Sequence, residues 1–306
     1  MGSGDDAAVW RLGQERALVF TADFITPVVD DPFQWGWIAA TNSVSDIYAM
    51  GGKPMIALNL VCWPANLDSG ILSQVLAGAE GAAREGGWLV VGGHTVDDPV
   101  PKFGLAVIGE ANELQVLRLS GLRPGEELVI TKPIGIGVAS TAIKRALAPA
   151  RLEQAAISSM RTSNAQAAEV ALELGAAGAT DITGFGLLGH LHGMAEASGV
   201  DVELDASQVP VLPEVARLAS EGVIPSGSLR NLSWVMEWVD RHDDVDSVSL
   251  QLLADAQTSG GLLFGVGGGK GQKAVSMLEA SGHTASVVGV ARPGSGRLQI
   301  QGKIAP

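Results

Sequence analysis

The chain has 306 residues, 46% of them hydrophobic and 17% charged, with a net charge of -13 and one cysteine, Cys62. The apolar content argues against disorder, the length favours two domains over one, and an acidic balance with no local run of lysine and arginine speaks against a nucleic-acid partner. One cysteine makes no intrachain disulfide, the start MGSGDDAAV has no signal-peptide pattern, and the longest apolar stretches, such as Met55 to Trp63, fall well short of the roughly 20 residues that cross a bilayer, so a cytoplasmic protein without a membrane span is expected.

Apolar alternation in AAVW and ALVFTAD, from Ala7 to Asp23, predicts two short strands joined by a polar turn. Pro32 after Asp30 and Asp31 predicts the first turn of a helix that runs to Met50, where Gly51 and Gly52 end it. A strand at Met55 to Val61, a helix at Ser69 to Glu85 and strands at Trp88 to Val91 and Phe103 to Ile108 follow, an alternating α/β pattern. The polar stretch ANELQVLRLSGLRPGE, residues 111 to 126, then breaks the periodicity, and a domain boundary is expected near residue 112. Beyond it the pattern predicts a strand at Leu128 to Thr131 and helices at about Val138 to Leu147 and Arg151 to Leu174. A strand near Ala179 to Ile182, a helix from Phe185 to Ser198, the strands VDVELD and LLFGV, and a helix starting near Lys270 complete it. Glycine reaches 40 residues, nearly twice its average share of about 7%, so many backbone positions need tight turns or close approach.

Aspartates punctuate the glycine-rich parts: Asp5 and Asp6 in GDDAAV, Asp23 in TAD, Asp46 in ATNSVSDIYAMGGKP and Asp181 in TDITGFG. Carboxylates without histidine or thiolate partners are hard oxygen ligands that suit magnesium held between protein and polyphosphate, which points to a magnesium and ATP enzyme without a Walker loop. Thr21 and Asp23 share a strand face, and Asn42 and Asp46 share a helix face. Each has a plainer reading: Asp46 as a solvated helix carboxylate, Asp5 and Asp6 as turn residues. Asp181 is harder to dismiss, because a carboxylate inside a short apolar strand is costly without a cation or several donors.

The stretch GFGLLG, Gly184 to Gly189, matches the dinucleotide pattern and has Asp205 about twenty residues on, but its preceding strand, GATDIT, is not continuously apolar. FGVGGGKG around Lys270 fails the Walker pattern at two positions. His190 and His192 diverge on a helix and read as surface or packing residues; Cys62 in LNLVCWP reads as a structural thiol.

Taken in order, GDDAAV, TADFITPVVDDPFQWGWIAATNSVSDIYAMGGKP, VGGHTVDDPVPKFGLAV, LVITKPIGIGV, TDITGFGLLGHL and DAQTSGGLLF closely resemble the selenophosphate synthetase (selenide, water dikinase) family, from Gly4 to about Val266. The resemblance implies the two-domain α/β (α+β) fold of the aminoimidazole ribonucleotide synthetase superfamily. Residues 1–112 would be an ATP- and metal-binding domain whose strands pair in a homodimer, and 113–306 a larger α/β domain. It implies conversion of ATP, selenide and water into selenophosphate, AMP and phosphate, with Mg2+ and commonly a monovalent cation such as K+. Asp6, Asp46 and Asp181 would be magnesium ligands, Asp23 an ATP contact, and Asn42 an assistant to Asp46. Ser3, Gly4 and Asp5 would lie near the phosphates, and Gly93, His94 and Thr95 would reach the nucleotide of the partner subunit. The family also carries, before GDDAAV, a glycine-rich segment with a catalytic cysteine or selenocysteine and a lysine. This sequence shows neither, so no catalytic residue is assigned, and the expectation is a chain that binds magnesium nucleotide weakly and forms little or no selenophosphate. Another ATP-using enzyme of the superfamily, such as a thiamine phosphate kinase, and a non-catalytic nucleotide-binding relative are the alternatives.

Overall fold

A computed structural model describes residues 4–305. The chain forms two compact units, Met1–Val116 with Met160–Ala165 and Leu117–Ser159 with Gln166–Pro306. The first segment of unit 1 ends at Val116, a few residues past the expected 112, and a short later segment also belongs to unit 1.

In unit 1, β1 (Ala8–Arg11), β2 (Arg16–Ile25), β3 (Lys53–Trp63), β4 (Leu89–Asp97) and β5 (Lys102–Asn112) form one sheet in the order β1-β2-β5-β3-β4. Helix α1 (Pro32–Ala49) lies against β2, β3 and β5, and α2 (Ser69–Gly86) packs on α1. The start of α1 follows the sequence signals: Pro32 opens it and the Asp31 carboxylate accepts the Gln34 N–H at 2.8 Å. Its end does too, with Gly51 in the left-handed region at φ 72°. Trp35, Ile38 and Ile47 are buried, each contributing about 1.5–3 kcal/mol. The two helices approach so closely that a Cβ on Gly36 would stand 1.9 Å from the Val75 carbonyl oxygen, and one on Gly78 2.0 Å from that of Phe33. Glycine is required at this crossing for its missing side chain.

The helix expected over Arg151 to Leu174 is two helices, α4 (Ala150–Arg161) and α5 (Ala165–Leu174), the chain between them holding Thr162, Ser163 and Asn164. Such side chains compete with the helical backbone, and here the Ser163 hydroxyl accepts the Ala165 N–H at 3.2 Å. The interruption belongs to unit 1 and is tied to α1. Asn164 donates to Ser45 Oγ at 2.8 Å, Arg161 donates to Gln34 Oε1 at 3.1 Å, and its guanidinium lies 4.1 Å from the centre of the Trp37 ring.

Unit 2 also contains β6 (Glu127–Ile130), α3 (Ile136–Lys144), β7 (Ala179–Asp181), α6 (Gly186–Ser198), β8 (Val200–Asp205), α7 (Val215–Ser220), α8 (Ser226–Val235) and β9 (Val239–Arg241). After these come α9 (Ser247–Leu253), β10 (Leu262–Val266), α10 (Gly271–Ala280), β11 (Ser286–Pro293) and β12 (Leu298–Gln301). Its strands form one mixed sheet in the order β7-β10-β6-β11-β8-β12-β9. The apolar run LLFGV, buried along its whole length, is β10, flanked by β7 and β6. No helix among the described residues is long and apolar enough to cross a membrane.

Candidate functional site

Alternation along β2 directs Thr21 and Asp23 toward α1, where Asn42 and Asp46 lie one turn apart. The two pairs interlock. Asn42 Nδ2 donates to Asp23 Oδ2, and Thr21 Oγ1 donates to Asp46 Oδ2 at 2.5 Å. Ser43 fixes the same level: its hydroxyl lies 2.9 Å from the carbonyls of Asp23 and Ala39 and accepts the Leu105 N–H at 3.1 Å. Burial pushes the Asp23 carboxyl above its ordinary range, and the Asn42 hydrogen bond opposes the shift. The result is a pair of half-buried carboxylates, Asp46 bonded to Thr21 and Asp23 to Asn42 and the Phe24 backbone.

Asp5 and Asp6 are half-buried ahead of β1. The β1–β2 ladder begins with Ala8 opposite Phe20, so this segment enters from the Asp23 end of β2. Gly4 has φ 127°, and Ser3 lies outside the described residues.

The strand expected to end at Val91 continues to Asp97, so Gly93, His94 and Thr95 belong to β4, an edge strand, opposite Asn59, Leu60 and Val61. All three are exposed. A surface cleft of about 360 Å³ between α2 and β4, lined by Asn59, Leu76, Arg84 and Leu89 among others, contains none of the aspartates.

In unit 2, Asp181 ends β7 opposite Leu262 and is 2% exposed. Close to it runs a polar network in the motifs TKP and DAQTSGG, to whose side chains local pattern assigns no role. Lys132, 3% exposed, donates from Nζ to the Ser259 carbonyl at 2.8 Å. Burial pushes its ammonium down to about 7, and the charge of Asp181 opposes that shift. Asp255 is wholly buried; it accepts the Val138 N–H at 3.1 Å and the Ser228 hydroxyl at 2.7 Å, and burial pushes it up to about 6. Gln257 Oε1 accepts the N–H groups of Gly135 and Ile136 at 3.2 and 3.1 Å. Together these two side chains close the amino terminus of α3. A carboxylate and an amide two apart, before a glycine pair, are the signal the sequence carries.

The rival motifs take structural roles. The strand before GFGLLG, β7, is antiparallel to its neighbour β10, and the next strand in the chain, β8, is separated from β7 by three strands of the sheet, so no adjacent parallel βαβ unit forms. Asp205 accepts the Ser207 N–H at 2.9 Å as a turn cap. Near Lys270, the amino terminus of α10 is occupied by the Glu127 carboxylate, which accepts the Gly271 N–H at 2.9 Å. His190 Nε2 accepts the Thr183 N–H at 3.1 Å, and burial pushes this imidazole down to about 4; His192 stacks on Trp238 with ring centres 4.2 Å apart. Cys62 is a half-buried free thiol.

Among the described residues no three histidine, cysteine, aspartate or glutamate side chains group closely enough to cage a metal ion. The donors are nevertheless of the right kind for magnesium, which is bound through one or two carboxylates plus substrate phosphates more often than by an all-protein cage.

A family model described as AIR synthase related protein, N-terminal domain, matches residues 4–111, and one described as AIR synthase related protein, C-terminal domain, matches 123–301. The selenide, water dikinase of Myxococcus xanthus is 45% identical over 302 residues, 98% of this chain and 86% of that protein. The enzyme of the same name from Carboxydothermus hydrogenoformans is 42% identical over 300 residues, 98% of this chain and 87% of its own. Among solved structures, a thiamine-monophosphate kinase from Stenotrophomonas maltophilia superposes with a TM-score of 0.74 at 19% identity, covering 100% of this chain and 92% of that one. Hydrogenase maturation protein HypE in complex with ATP gives 0.72 at 21%, covering 92% and 81%. At those identities the structures establish the fold, whereas the near full-length match at 45% goes further: this chain belongs to the selenide, water dikinase family.

Proposed function

We propose, against the expectation of little or no turnover, that this protein forms selenophosphate from ATP, selenide and water, releasing AMP and phosphate, with Mg2+ as cofactor and K+ as a candidate activating cation. The observation that carries the reading is the interlocked Thr21–Asp46 and Asn42–Asp23 pairing inside a chain 45% identical to a named selenide, water dikinase. Asp6, Asp46 and Asp181 are the proposed magnesium ligands and Asp23 the ATP contact; Gly4 and Asp5, with Ser3, are proposed to line the phosphates. Bound magnesium would supply charge neutralisation at the phosphoryl oxygens. What the chain itself contributes is position: Thr21 and Asn42 each donate a hydrogen bond that fixes the orientation of a carboxylate.

We further propose a homodimer through the face of the unit 1 sheet that carries no helix. Trp10, Phe20, Phe24, Ile56, Leu58, Leu89 and Val91 are exposed there or along its edge, a contiguous apolar surface of the kind that marks an association site. His94, opposite Leu60 on that side, with Gly93 and Thr95, is proposed to reach the nucleotide of the partner subunit.

The test follows the products of ATP in single-turnover reactions with selenide, by phosphorus NMR and nucleotide chromatography. AMP together with a selenium-bonded phosphate, lost in Asp46→Asn, is expected; ADP as the sole nucleotide product would overturn the assignment in favour of a simple kinase.

A further inference from the structure

Strands β7 and β6 are both antiparallel to β10, which lies between them, so they run parallel to each other and their carboxyl ends meet at one edge of the unit 2 sheet. Asp181 closes β7 there, and Lys132 stands two residues past the end of β6. What separates them is the Thr258–Gly261 turn that leads into β10. Gly261 gives its carbonyl to the Ile182 N–H at 2.9 Å, and a Cβ on it would stand 2.5 Å from the Lys132 backbone nitrogen; a Cβ on Gly260 would stand 2.0 Å from the Ile182 carbonyl oxygen. Two glycines therefore bring the backbones of all three segments together. The turn is strained at Ser259, a buried non-glycine residue at φ 50°, and its carbonyl is the group that Lys132 Nζ holds at 2.8 Å.

A buried ammonium and a buried carboxylate at one strand end are each costly alone and tolerable together. The attraction between them is already felt, since the charge of Asp181 steadies that of Lys132. Lysine differs here from the other members of the network: Asp255, Gln257 and Ser228 are occupied with the amino terminus of α3 and with one another, whereas Lys132 Nζ holds the Ser259 carbonyl in the turn whose Gly261 carbonyl accepts the Ile182 N–H, next to Asp181.

We propose that Lys132 is a positioning residue for Asp181: its ammonium anchors the strained Ser259 turn and balances the carboxylate charge, so that Asp181 is held in place when a magnesium nucleotide arrives. The assignment rests on the reading of Asp181 as a magnesium ligand and extends it to a residue outside the ligand set. A lysine that served only as packing would affect stability and leave metal affinity alone.

The test is calorimetric titration of the full chain with Mg2+ in the presence of a non-hydrolysable ATP analogue, on the wild type, Lys132→Met, Lys132→Arg and Asp181→Asn. Lys132→Met is expected to raise the Mg2+ concentration at half-saturation by about tenfold or more, Asp181→Asn by at least as much, and Lys132→Arg by less than Lys132→Met. If Asp181→Asn raises the midpoint and Lys132→Met leaves it at the wild-type value, the positioning role is overturned while the ligand stands. An Asp181→Asn chain with an unchanged midpoint sinks the ligand reading and the role of Lys132 with it. Should Lys132→Met not fold, the double variant with Asp181→Asn decides: recovery of folding supports the charge pairing, and continued failure refutes it.

Discussion

Asp255 offers the sharpest quantitative prediction, because a buried carboxylate with neutral partners makes stability depend on pH. Burial raises it from the ordinary 3.8 to about 6, against hydrogen bonds from Ser228, Val138, Gly137 and Gln257 that favour the charged form. A group raised on folding stabilises the native state fully below its unfolded value and loses that contribution as pH rises through its folded value. The folded protein therefore carries a cost of about 3 kcal/mol at pH 8, of which roughly 1.4 kcal/mol is relieved by pH 5. Asp255→Asn is neutral throughout. Its oxygen can keep the Val138 N–H, and its amide can donate to Ser228 Oγ after the hydroxyl rotates, while the interaction of a full charge with the α3 amino terminus, about 0.3–1 kcal/mol, is lost. The variant is expected to be more stable than the wild type by about 2 kcal/mol at pH 8, with that advantage shrinking by about 1.4 kcal/mol at pH 5. Hydrogen exchange of the α3 amides, compared between the two proteins at each pH, reads the opening of unit 2 without requiring unit 1 to unfold with it. An advantage equal at both pH values, or one that grows on acidification, would refute the reasoning.

Gly78→Ala places a methyl group against the Phe33 carbonyl and is expected to cost about 1–3 kcal/mol or more, seen as a lowered thermal midpoint, whereas Gly13→Ala, with open space around it, should be near neutral. His190 is held neutral at about 4 by burial, so the unfolded chain takes up its proton first as pH falls from about 6.5, and roughly 3 kcal/mol of stability is lost by pH 4. His190→Gln, which can still accept the Thr183 N–H, should remove that component from urea midpoints measured at pH 7 and 4.5. Leu58→Glu on the helix-free sheet face should raise the dissociation constant of the proposed dimer by about 100-fold or more in sedimentation velocity at neutral pH; a monomeric wild type or an unchanged constant would refute that interface.

Local chemistry alone announced much of this protein: the limits of α1 at Pro32 and Gly51, the β10 run LLFGV, the packing roles of His190 and His192, and the family through its motifs. These are properties of neighbouring residues, because a cap, an alternation or a turn is decided within a few positions. The split between α4 and α5 was written there too, in Thr162, Ser163 and Asn164, but a strong helical pattern on both sides masked it. Only the tertiary structure decided which distant groups meet. It paired Thr21 with Asp46 and Asn42 with Asp23, turned Asp255 and Gln257 onto the start of α3, and brought Lys132 beside the Ser259 turn, more than a hundred residues away in the chain. Such contacts follow from strand order and from glycines that let backbones touch, and neither is encoded at any one position.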